Sequence, residues 1–365
     1  MPPPPGVWGV PAWTGRNLAA RDGLLVEIGA ALAKRGVAPL CGLGGTGKTM
    51  LAIEYAHRNA SAYDTVYLIQ ADSSWSIVSS FAALATEMRV PEQELAMEEG
   101  TAASKTSSRQ PRVVTAVKNR LGRRGRWLLI FDDVHEPKSI DPYLPSVAQG
   151  GHVLMTSRNP IWQGIAPVIV RGLERAESVG FLLRRTGDID AEAADALAEE
   201  LGDLPLALAQ AGAYIEETGR PLSEYLALFR QRPAALLERP QSFPATVSTT
   251  WESSLADVFG NPAAAELLSV MAFLPMDEIP RRALVGYDPL ALDDAIATLR
   301  LHSLIEVRPH AITVHRLVKV IVRHQLRPED RRKWADAARK VVQSFSFSSA
   351  GREMDTDFGT DPDLT

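Results

Sequence analysis

An α/β fold is predicted for this 365-residue chain by three features of its sequence. Short apolar runs alternate with helix-forming stretches through the first half. A glycine-rich loop follows one of the first of these runs, and beyond about Gly172 the strand-like runs give way to helical periodicity. Together they describe a parallel sheet carrying a phosphate-binding loop, then a helical subdomain, then a winged-helix domain.

The first strand expected is 37–41, which leads into Gly42-Leu43-Gly44-Gly45-Thr46-Gly47-Lys48-Thr49. This segment satisfies G-x-x-x-x-G-K-[ST] at every constrained position, and Met50 opens an apolar helix-forming stretch behind it. Glycines let backbone N–H groups curl around a β-phosphate, Lys48 reaches the β/γ oxygens, and the Thr49 hydroxyl ligates Mg²⁺. The next helix points its positive end at the anion. Pro39 is awkward in such a strand because it cannot donate to a ladder, which leaves a bulge or a late strand start as explanations. Cys41, the only cysteine, reads as a small buried hydrophobe.

Further strands are expected at 65–70, 127–132, 152–156 and 168–170, with helices between them, so the sheet should be parallel and covered on both faces. The segment 91–111 is rich in Glu, Ser and Thr and reads as a surface excursion. Helices are expected at 177–185, 191–201, 206–218 and 222–230, and the proline-bearing stretch 233–244 reads as a linker. A third unit follows, with helices, a short alternating pair at 304–308 and 311–315, and a closing helix at 317–326. The expected domains are therefore 1–171, 172–244 and 245–343, with a disordered tail at 344–365.

The strand Leu128-Leu129-Ile130-Phe131 ends in Asp132-Asp133. Asp132 is expected to hold Mg²⁺ and Asp133 to polarise an attacking water, since phosphoryl transfer needs positioning and charge neutralisation. The next strand ends in Thr156-Ser157-Arg158, where Arg158 would sense the γ-phosphate and neutralise developing charge.

With these motifs the chain resembles the NB-ARC branch of the STAND NTPases over about residues 10–340. Four further segments carry the likeness. Trp13-Thr14-Gly15-Arg16 resembles the family's adenine-cradling segment, and Gly202-Asp203-Leu204-Pro205-Leu206-Ala207 resembles its GLPLA motif with Asp203 apparently inserted. The Thr156-Ser157-Arg158 strand end is the third, and Val314-His315-Arg316-Leu317 stands where the family has Met-His-Asp. The resemblance implies that Thr14, Gly15 and Arg16 line the base, that Pro205 and Leu206 pack on base or sugar, and that His315 contacts an ADP β-phosphate. Arg316 departs from the family's acidic residue.

Composition sets bounds on function. The net charge of −5 announces no nucleic-acid partner, and no stretch approaches the ~20 apolar residues of a membrane span. Met1-Pro2-Pro3-Pro4-Pro5 lacks the basic and apolar parts of a signal peptide, so a cytoplasmic location is expected. The main reading is an adenine-nucleotide switch: ADP holds it closed, and ATP with Mg²⁺ opens it for self-association and for an unidentified protein effector. The alternatives are a turnover ATPase and a DNA-binding regulator using basic residues such as Lys319 and Arg323.

Overall fold

The computed structural model describes residues 6–12, 21–95, 112–147, 150–239, 246–276, 278–284 and 286–353. Thr14, Gly15 and Arg16, and most of the 91–111 excursion, lie outside them. The chain divides into two compact units, Met1–Gly187 with Leu204–Leu208, and Asp188–Asp203 with Ala209–Thr365. Packing thus divides the chain elsewhere than at the expected 171 and 244.

The first unit runs β1 (Val7–Gly9), α1 (Asp22–Arg35), β2 (Val37–Cys41), α2 (Lys48–Arg58), β3 (Thr65–Gln70), α3 (Ser74–Glu87), α4 (Glu92–Leu95), α5 (Arg112–Arg124), β4 (Trp127–Val134), β5 (Gly151–Ser157), β6 (Val168–Ile169) and α6 (Arg175–Thr186). Its six strands form a sheet in the order β1-β3-β4-β5-β2-β6, parallel throughout. Alternation along the strands covers both faces, as expected. Leu128, Ile130, Leu40 and Leu154 pack with Leu25, Ile28 and Leu32 of α1 and Leu51 and Ile53 of α2. Trp127, Leu129, Phe131 and Met155 point the other way, onto Ile77, Phe81 and Leu84 of α3 and Val117 and Leu121 of α5.

The sheet resolves the difficulty with Pro39. The Val153 N–H donates to the Gly36 carbonyl and the Val170 N–H to the Cys41 carbonyl, so residues of the same parity as Cys41 turn their polar groups toward β6. Pro39 is one of these. Pairing with β6 begins only at Leu40, opposite Val168, so the donor that proline lacks falls where the ladder has not started. Neither a bulge nor a late strand start is involved. A bulge does occur in β4, whose register with β5 shifts between Phe131 and Val134 and carries the strand past its expected end at 132.

The second unit comprises α7 (Ala191–Glu200), α8 (Pro205–Thr218, whose first residues group with the sheet), α9 (Leu222–Gln231), α10 (Pro233–Glu238), α11 (Val247–Phe259), α12 (Pro262–Phe273), β7 (Glu278–Pro280), α13 (Pro289–Leu301), β8 (Ile305–Val307), β9 (Ala311–Val314), α14 (Arg316–Gln325) and α15 (Pro328–Glu353). Strands β7, β9 and β8 form a small antiparallel sheet in that order. Helix α12 packs on α13 and α14, burying Leu267, Leu268 and Met271 with Leu299, Leu317, Val318, Ile321 and Val322.

Three details of this unit differ from expectation. The stretch at 233–238 is helical, and the buried Gln210 amide donates to the carbonyls of Leu236, Leu237 and Arg239 while its oxygen accepts from the Val247 N–H. That one side chain ties the end of α10 to the start of α11, its two N–H donors shared among three carbonyls. Helix α15 continues to Glu353, past the start of the expected tail. Lys319, counted among surface charges, is buried and donates to the Leu274 and Met276 carbonyls.

Candidate nucleotide-binding site

The phosphate loop joins β2 to α2. Helix α2 has Gly47, in the left-handed region at φ 87°, as its N-cap, and no side chain caps its first turn. Its leading N–H groups therefore have no side-chain acceptor, the arrangement that favours an anion. Gly42 tolerates no side chain, because a Cβ there would lie 2.2 Å from the Val170 carbonyl oxygen. The crest is held internally: the Thr46 hydroxyl donates to the Leu43 carbonyl at 2.9 Å.

Lys48 Nζ donates to the Gly42 carbonyl at 2.8 Å and to the Leu43 carbonyl at 3.0 Å, folding the ammonium back into its own loop. Burial lowers its pKa to about 8; Arg158 pushes it further down, while Asp133, Cys41 and Asp132 oppose the shift. A phosphate entering here would meet a buried ammonium whose charge burial disfavours.

Strand β5 stands between the loop strand and the acid strand, so its carboxyl end can bridge both. The Thr156 hydroxyl donates to Asp132 Oδ1 at 2.6 Å and accepts from the Asp133 N–H at 2.9 Å. The Thr49 hydroxyl donates to the same Asp132 oxygen at 2.7 Å. Burial raises the Asp132 pKa against these two hydrogen bonds, and the Asp133 charge raises it further. A divalent cation would relieve this carboxylate, and Thr49 and Asp132 with phosphate oxygens form the sparse ligand set that suits Mg²⁺. Asp133 adopts φ 60° within the bulge, and aspartate tolerates the left-handed region better than most side chains.

Leu206 brings the second motif to the loop. Its N–H donates to the Gly45 carbonyl at 3.2 Å, and a Cβ on Gly45, at φ 85°, would lie 3.0 Å from the Leu206 Cβ. Pro205 is the residue before it, at the start of α8.

His315 belongs to the second unit, where it caps α14. Its Nδ1 accepts from the Leu317 N–H at 3.2 Å, which leaves the proton on Nε2, 3.0 Å from the Gly202 carbonyl that accepts it. The Trp251 ring meets the imidazole edge-on at a centroid distance of 6.1 Å. Asp203 is at φ 56° and Gly202 at φ 61°, consecutive left-handed residues that end α7, so Asp203 lengthens the turn before Leu204.

One contributor escaped the sequence reading. Arg21, just ahead of α1 and buried, donates from Nη1 to the Thr46 carbonyl at 2.8 Å and from Nη2 to the Arg171 carbonyl at 3.2 Å. It props the phosphate loop from behind. Cys41, by contrast, matches its reading. Burial raises its thiol pKa to about 12, and it accepts from Trp162 Nε1 at 3.1 Å and contacts the Asn159 carbonyl at 3.1 Å.

A phosphate loop, a buried metal-suited acid and a polar strand between them, on a parallel sheet, define a P-loop NTPase. The NB-ARC domain family matches residues 25–166. A nucleotide-binding leucine-rich repeat (NLR)-like protein of Hyaloscypha variabilis is 28% identical over 355 residues, covering 84% of this chain and 34% of its own length. The chain thus spans about a third of that curated relative. Among solved structures, a Walker-type ATPase of Pyrococcus abyssi superposes with a TM-score of 0.57 at 13% identity, covering 88% of this chain and 99% of its own, which shows the shared fold. A STAND protein with a tetratricopeptide repeat sensor from Pyrococcus horikoshii gives 0.37 at 17% identity, covering 86% and 43% respectively. Residues 25–166 are thus identified as an NB-ARC domain on a P-loop NTPase fold. Among the described residues, no helix is long and apolar enough to cross a membrane.

Proposed function

We propose that the protein is a nucleotide-dependent molecular switch, closed with ADP and opened by ATP with Mg²⁺ into a form that self-associates and engages a protein effector in the cytoplasm. The observation that carries this reading is the Leu206 N–H bond to Gly45. It ties the phosphate loop to a segment whose chain runs directly into α8 and, backward through Asp203, into α7. Contents of the loop then bear on residues beyond it, which a ligand-driven shift requires. In this reading Thr14, Gly15 and Arg16 cradle the adenine and Pro205 packs on base or sugar. The unit closed by β8 and β9 acts as a winged-helix domain, and its His315 reaches the ADP β-phosphate by exchanging the Gly202 carbonyl for a phosphate oxygen.

Turnover is the second reading, favoured by the second carboxylate that Asp133 adds after Asp132 at the end of β4 and by the electrostatic influence of Arg158 on Lys48. Slow hydrolysis would then reset the switch, with Asp133 holding the water and Arg158 the developing charge. Burial of Lys319 takes one charge out of the basic run that a DNA-binding reading needs, and Arg323 Nε donates to the Lys319 carbonyl. The test is to release and identify by mass spectrometry whatever nucleotide stays with protein purified without added nucleotide. ADP is expected. A guanine nucleotide would contradict the reading, as would protein that is empty and fails to bind added ADP.

A further inference from the structure

The strand at one edge of the parallel sheet is short, yet its fit is selective. β1 pairs with β3 over three residues, Val7 opposite Thr65, Trp8 opposite Val66 and Gly9 opposite Tyr67, and the Val7 N–H donates to the Asp64 carbonyl at 3.2 Å. Two glycines set the fit. A Cβ on Gly6 would lie 1.8 Å from the Asp64 carbonyl oxygen, and one on Gly9 would lie 2.1 Å from the Tyr67 ring. The segment grips the edge from both faces: Val7 packs in the core that holds Tyr67 and Ile69, while Val10 and Trp8 pack in the one that holds Tyr55. The last turn of α2 holds its far end. There the Trp8 ring meets His57 edge-on at a centroid distance of 5.0 Å, and His57 Nε2 donates to the Pro11 carbonyl at 2.9 Å.

Beneath this strand lies a polar group without a partner. Thr65 is fully buried, and its hydroxyl makes no hydrogen bond. Val7 is its register partner, so the two side chains share a face and the apolar one stands beside the hydroxyl. An unpaired buried hydroxyl costs free energy that hydration restores, so the seat is weakened at its first pair. Without β1, strand β3 (Thr65–Gln70) would offer an open edge, with the now-buried Val66, Tyr67 and Ile69 along it, the kind of row that takes up another strand. A strand that fits this edge needs glycine at two positions three apart. Residues 6–11 meet that need, and every copy of the chain carries them. An exchanged strand repeats every contact named above, so little free energy separates it from the intramolecular one.

We propose that residues 6–11 are a removable cap on β3, and that the chain self-associates by exchanging it, each copy seating this segment on the β3 edge of a second copy. The cap itself stands on contacts within one unit. Its release by a triphosphate rests on the switch reading given above.

The test mixes two separately purified full-length copies, one carrying Val7→Cys and the other Thr65→Cys, under mild oxidation. The mixture is held without nucleotide, with ADP, and with Mg²⁺ and a non-hydrolysable ATP analogue. Register partners on neighbouring strands lie close enough for a disulfide, so a bond joining the two copies reports exchange. Wild-type chains, whose Cys41 is buried, should give none. The joined pair is expected, several-fold more abundant with the analogue than with ADP. Both substitutions in one chain should close the bond internally, and the oxidised chain should stay monomeric with the analogue until it is reduced. Thr65→Val should slow deuterium uptake at residues 6–11 by about fivefold or more, the effect of removing one buried unpaired hydroxyl. The proposal is overturned if no bond joins the copies in any state, if the double variant fails to close internally, if it associates once oxidised, or if Thr65→Val leaves uptake unchanged. If the copies join equally in all three states, the exchange stands and the switch reading falls.

Discussion

Lys48→Ala is expected to abolish tight nucleotide binding and to leave the fold standing. The side chain now donates to two carbonyls of its own loop, and a bound triphosphate would replace those acceptors with charged oxygens. Losing charge-assisted bonds to two oxygens costs about 3 kcal/mol or more, roughly a hundredfold in affinity. The fold should tolerate the change for a reason visible in the titration of the group. Burial holds the Lys48 pKa near 8, below its ordinary 10.5, so the folded protein pays to keep this ammonium dry. Alanine removes that cost along with the two carbonyl bonds, and the melting temperature should move little. Calorimetric titration is the check, and retained submicromolar affinity would contradict the loop's role.

Asp133→Asn is expected to do the reverse, leaving nucleotide affinity nearly unchanged and slowing any hydrolysis by roughly 10²- to 10⁴-fold, the usual contribution of a group that positions or deprotonates the attacking water. Asparagine is a cleaner variant than alanine because the position has φ 60°, which Asn adopts readily and Ala does not. It also keeps the backbone N–H that donates to Thr156. Single-turnover hydrolysis beside equilibrium binding separates the two effects. An equal loss of binding would show that Asp133, rather than Asp132, carries the metal.

Much of this site was legible in the sequence because its chemistry is local. Loop, lysine and threonine are contiguous, and the acids end an apolar run long enough to be read as a strand. What escaped depends on strand order and register. Nothing in the sequence places β5 between β2 and β4, yet that placement lets the Thr156 hydroxyl serve both acids. The bulge at Asp132 and Asp133 is equally a property of pairing, and it appears only as a register shift between Phe131 and Val134. Strand β1 was missed because three residues, Val7–Gly9, give too short an alternation to detect. Arg21 was missed because its partners are carbonyls at Thr46 and Arg171, which carry no side-chain signature. The sequence also does not show that α6, which looks like the first helix of a helical unit, groups with the sheet, with Phe181 and Leu182 buried. Arg316 reads as a flaw in a motif because its partner, Glu199, is 117 positions away in the sequence.

The central claim is that nucleotide identity sets the conformation and association of the chain. Small-angle scattering coupled to size exclusion, on protein saturated with ADP and separately with Mg²⁺ and a non-hydrolysable ATP analogue, tests it most directly. The account predicts a compact monomer with ADP and an expanded or associated species with the triphosphate. Superimposable profiles in the two nucleotides, with saturation shown by calorimetry in the same buffer, would contradict it.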